Sequence, residues 1–101
     1  MINYSFIKQD DKFKEIMIKG HSLYSFKNND IVCSSVSTVI ISTLNTIEIF
    51  KLQSKISFNL REGFFLLKIL DFDETINNLL LNLEYTLKSL SEIYPKNLKK
   101  V

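Results

Sequence analysis

The chain has 101 residues, a formal charge of +2, 46% hydrophobic and 24% charged residues, two Gly and one Pro. That describes one folded domain with an ordinary core, and it excludes both a two-domain enzyme and a disordered chain. A single Cys and a single His exclude an intramolecular disulfide and any metal site built from Cys or His clusters.

The opening residues, MINYSFIKQDDK, lack the basic-then-apolar pattern of a secretory signal. The densest apolar stretch, Phe64–Leu70, is interrupted by Lys68 and falls short of the roughly 20 apolar residues of a membrane span. A cytoplasmic protein without a membrane partner is expected. Twelve Lys accompany one Arg, Arg61. Arg is the usual residue of bidentate phosphate and base recognition, so direct sequence-specific nucleic-acid binding is not expected.

Ile2–Ile7 reads as a strand, with Ile2, Tyr4 and Phe6 on one face. The polar segment Lys8–Lys12 reads as a turn. Phe13–Lys19 reads as the strand that returns, with Ile16 and Ile18 on one side and Met17 on the other. The segment GHSLYSFKNN, from Gly20 to Asn29, reads as a loop, and Asn28, Asn29 and Asp30 are helix-entry residues. Val32, Val36, Ile40, Leu44 and Ile47 then recur at helical spacing, giving a helix from Asp30 to about Phe50. Its many Ser and Thr are indifferent helix formers, so packing rather than propensity must hold it.

Lys55–Leu60 and Phe64–Leu70 read as a second pair of strands around a tight Arg61-Glu62-Gly63 connection, in which Gly63 is free to take positive φ. The acidic turn Asp71–Glu74 opens a second helix, Asp73 to about Tyr94, whose apolar stripe runs through Ile76, Leu79, Leu80, Leu83, Leu87, Leu90 and Tyr94. Pro95 stops it, and Lys96–Val101 reads as a solvated basic tail. The order is ββαββα. An α+β fold is expected, with an antiparallel four-stranded sheet covered by two helices.

The one His and the one Cys flank the same loop, twelve positions apart. Cys33 falls in the first turn of a helix, where partial positive charge and N–H groups favour a thiolate. His21 can accept the thiol proton, and the intervening loop is long enough to bring the two together. The alternative is a Cys that serves only as a small buried hydrophobe. Such a residue is expected mid-helix, on the Val36/Ile40 stripe. Ser37 lies one turn after Cys33 on the same face, where it can serve the thiolate or substrate, or bond back to its own helix. Two roles are open to Asp30, capping the helix or orienting His21. Asp71, Asp73 and Glu74 do not have the spacing of a calcium loop and read as a helix start.

The segment GHSLYSFKNNDIVCSSVS resembles the signature of the ribosomal-processing cysteine protease Prp family, a Gly-His pair followed by a Cys within an Asp-Ile-Val-Cys-Ser-Ser-Val-Ser block. EGFFLLKI and the ending LKSLSEIYPKNLKKV also resemble the family's fourth strand and last helix. The resemblance implies Cys33 as nucleophile, His21 as general base, and Asp30 and Ser37 as supporting positions. It implies that Gly20, Ser22, Leu23, Tyr24, Phe26 and Asn28 form the loop that meets the substrate. It further implies a homodimer that removes the N-terminal extension of a large-subunit ribosomal protein, the twenty-seventh of the L series. No cofactor and no metal are implied. The loop departs from the family pattern, with Ser22, Leu23, Ser25 and Asn28 where small residues and glycines are usual. Asn tolerates positive φ, but Leu23 adds bulk near the substrate path. The rival reading is a non-catalytic ribosome-associated binding module with a structural cysteine.

Overall fold

A computed structural model of the chain describes residues 1–20 and 31–101. Strands β1 (Ile2–Gln9) and β2 (Lys12–Gly20) form the first hairpin. Its two turn residues, Asp10 and Asp11, have φ of 53° and 64°. Two-residue hairpin turns demand this left-handed backbone, and Asp tolerates it better than most residues. Helix α1 (Ile31–Ile49) follows, and a single 3₁₀ turn, Gln53–Lys55, leads into β3 (Ile56–Arg61). β3 pairs with β4 (Phe64–Ile69) around Glu62-Gly63, with Gly63 at φ 75°. Helix α2 (Glu74–Ile93) leads to a short final strand, β5 (Leu98–Lys100).

The sheet has five strands in the order β3-β4-β2-β1-β5. The expected ββαββα order with a wholly antiparallel four-stranded sheet is therefore corrected: the fold is α+β with two helices, but the sheet is mixed. The supposed tail supplies β5, which runs parallel to β1 with Ile2 opposite Leu98 and Tyr4 opposite Lys100. The Ile2 N–H donates to the Asn97 carbonyl at 2.8 Å, and the Val101 N–H to that of Tyr4 at 2.8 Å. Leu98 is buried, so burial as well as pairing holds the segment.

Side-chain alternation puts Ile2, Tyr4, Ile16, Ile18, Ile56, Phe65 and Leu67 on one face, where they form a single core with the buried sides of both helices. Ile76, Leu80, Leu83 and Leu87 provide the α2 side. Asp73 caps α2, its carboxylate accepting from the Ile76 N–H at 3.1 Å. Its exposed neighbour Asp71 and Asp73 lie 3.7 and 3.6 Å from the Lys55 ammonium, so the acidic turn is accounted for by helix entry.

Helix α1 ends without glycine. The Lys51 N–H donates to Glu48 and the Leu52 N–H to Ile47, a Schellman motif with Lys51 held at φ 60°. Along α1, the Ser35, Thr43 and Thr46 hydroxyls bond back to carbonyls four residues earlier. By length and composition alone α1 is apolar enough to cross a membrane. That differs from the expectation drawn from uninterrupted apolar runs, because Ser, Thr and Asn break the run while Glu48 is the helix's one charged residue. One face of α1 is spent in the core.

Candidate active site

β2 ends at Gly20, and α1 begins at Ile31. Gly20 is thus the last residue of a strand rather than the first of a loop. Its backbone is packed on two sides. It pairs with Ile2 across the hairpin, and its N–H donates to the Gly63 carbonyl at 3.1 Å. A Cβ at Gly20 would strike the Met1 carbonyl oxygen and stand 2.7 Å from the Ile2 Cα. Only glycine permits this approach. Sequence reasoning gave Gly63 a hairpin turn and nothing more. Its carbonyl also ties the β3–β4 turn to the strand end that precedes His21, and the only sequence signal for it is the glycine itself.

Cys33 is the third residue of α1, in the first turn as expected. It is 1% exposed and belongs to the core cluster with Val32, Val36 and Ile40. The expectation that a core cysteine would sit apart from this position is corrected. Residues 33, 36, 37 and 40 share one face, so the first turn already enters the core. Ser37, one turn on, is buried beside it. The structure thus brings Cys33 and Ser37 to one buried face at the helix start and places Gly20 at the end of β2. His21, Ser22, Leu23, Tyr24, Phe26, Asn28 and Asp30 lie outside the described residues. Among the described residues no group of His, Cys, Asp and Glu could hold a metal ion.

The chain matches the family model described as cysteine protease Prp over residues 1–99. It belongs to the cysteine protease Prp family. The Prp family supplies the activity class: the protein is a cysteine protease, a peptide hydrolase. No curated protein matches the chain by sequence. Among solved structures it is similar to the essential ribosomal processing protease Prp from S. aureus in complex with a covalently linked product peptide, with a TM-score of 0.85 and 24% identity over 99% of this chain and 97% of that one. The same S. aureus protease with a substrate peptide gives a TM-score of 0.84 at 22% identity, covering 100% and 98%. A Streptococcus mutans protein gives 0.76 at 22% identity, covering 99% and 91%. These likenesses carry the fold. The five-stranded mixed sheet with two helices is the Prp arrangement.

Proposed function

We propose that the protein removes the N-terminal extension of a large-subunit ribosomal protein, the twenty-seventh of the L series, using a dyad of Cys33 and His21. The observation that carries the reading is one of elimination. A cysteine protease needs a cysteine, the chain has one, and it sits in the first turn of α1, one short segment after Gly-His.

In the proposed reaction, His21 takes the Cys33 proton. The thiolate attacks the scissile carbonyl carbon, the amine leaves with a proton from His21, and water hydrolyses the thioester. Backbone N–H groups of the first α1 turn stabilise the oxyanion, a contribution of about 3–4 kcal/mol. Asp30 caps that turn or orients His21, and Ser37 supports the thiolate or a substrate group. Gly20, Ser22, Leu23, Tyr24, Phe26 and Asn28 meet the peptide, with Tyr24 and Phe26 packing on apolar substrate residues. The reaction as written draws on no cofactor. A cytoplasmic homodimer belongs to the same reading. The ribosomal-processing part of the reading is supported by the family and by the S. aureus protease, which is described as a ribosomal processing enzyme with bound peptides.

Alkylation tests the dyad. Iodoacetamide at pH 6–7 is expected to modify Cys33 in the folded protein, and His21→Ala is expected to slow it. A thiol that resists labelling until the protein unfolds would mark Cys33 as a structural residue.

A further inference from the structure

A groove of about 450 Å³ separates α2 from the β1–β5 edge of the sheet, whereas Cys33 lies on α1. Tyr4 lies at its base. This residue is 2% exposed, and among the described residues its hydroxyl has no hydrogen-bond partner. A buried phenol ordinarily finds one, so a hydroxyl without a partner among the described residues, at the base of a groove, points to a partner from outside.

The surroundings define that partner. Tyr4 and Lys100 are opposite each other in the parallel ladder, so both side chains leave the α2 side of the sheet. On α2, Glu84, Lys88 and Glu92 recur every fourth residue and line the groove. Lys8 closes on Glu84 at 2.8 Å, which neutralises that end. Lys88, Lys100 and Glu92 make no ion pair among the described residues. The ring of Tyr85, 61% exposed, stands at the rim. Two uncommitted ammonium groups, a buried phenol and an exposed aromatic face form a set that recognises phosphate at one end and a flat base at the other.

We propose that this groove binds a nucleoside phosphate, either free or as one unit of a single strand. Lys88, Lys100 and the Tyr4 hydroxyl donate to phosphate oxygens. The base stacks on Tyr85, and the Glu92 carboxylate accepts from a ribose hydroxyl or a base amino group. Such binding reads no sequence, because a stacking face accepts every base.

Adenosine monophosphate, a short oligoadenylate and inorganic phosphate, each titrated calorimetrically into the full chain at low salt, test the assignment. Saturable binding of the mononucleotide supports a free nucleotide as the source, and binding of the oligoadenylate alone supports a strand. In either case Tyr4→Phe is expected to weaken binding about tenfold, and Tyr85→Ala by a similar factor or more. Because the Tyr4 hydroxyl has no partner among the described residues, Tyr4→Phe is expected to unfold at the wild-type temperature or above it. Saturation by neither nucleotide probe would overturn the proposal. So would equal binding by Tyr4→Phe, or inorganic phosphate binding as tightly as the nucleotide.

Discussion

Gly20→Ala tests how tightly the strand end beside His21 is packed against Met1 and Ile2. The added Cβ would lie 2.7 Å from the Ile2 Cα, 3.0 Å from the Met1 carbonyl carbon, and closer still to the Met1 oxygen. Ordinary Cβ contacts begin near 3.4 Å, so β1 and β2 must part by at least about 0.7 Å at this point, and by more where the Met1 oxygen stands. These atoms are backbone, which has no rotamer with which to yield. Ile2 is also opposite Leu98, so the displacement extends into β5. Forcing atoms into packed surroundings costs about 1–3 kcal/mol. Holding an L-residue at φ 156° adds backbone strain of roughly 1–3 kcal/mol. The expected loss is therefore about 2–6 kcal/mol, a large share of the roughly 5–15 kcal/mol available to a domain. In a chain of this size each kcal/mol lowers the unfolding midpoint by about 4–8 °C, so a fall of at least about 8 °C is expected by circular dichroism. Gly63→Ala is the internal comparison. Its Cβ would meet only the Gly20 carbonyl oxygen, at an ordinary 3.4 Å, leaving strain at φ 75° as the one penalty. That costs about 1–2 kcal/mol. A Gly20→Ala protein within about 0.5 kcal/mol of wild type, or more stable than Gly63→Ala, would refute the reasoning.

Three further substitutions probe the frame that carries the site. Leu98→Ala is expected to lose about 2–4 kcal/mol in urea unfolding, since Leu98 is 1% exposed within the core; a loss under about 0.5 kcal/mol would return the segment to a solvated tail. Asp73→Ala removes the α2 cap and is expected to lower stability by about 1 kcal/mol, measured the same way. Lys51→Gly relieves a left-handed side-chain-bearing residue at the end of α1 and is expected to raise stability by about 0.5–1 kcal/mol, with unchanged urea sensitivity.

Much of this frame was legible in the amino-acid order, for identifiable reasons. Ile2, Tyr4 and Phe6 alternate because one sheet face is wet, and two polar or Gly-containing turns separate paired apolar runs. Asp73 announces its helix because a carboxylate there satisfies an N–H. β5 was not legible. Three residues, two of them lysine, show no alternation, and Leu98 becomes a strand residue only because α2 returns the chain beside β1. The end of α1 carried no glycine signal because Lys51 takes the position that glycine usually fills. At the site, the first-turn position of Cys33 was readable from helix phasing. That the same position lies on the core face is also present in the spacing of residues 33, 36, 37 and 40, because the first turn of α1 already belongs to the core stripe. The close packing of Gly20 against Met1 and Gly63 is a tertiary contact with no local pattern.

The most direct test of the central claim is cleavage of the precursor ribosomal protein from the same genome, incubated with the wild-type chain and with Cys33→Ala and read by mass spectrometry. A single N-terminal cut made by the wild type and absent with the variant is predicted. An intact precursor, with its extension present and the wild-type protein folded and reduced, or an equal cut by Cys33→Ala, would contradict the account.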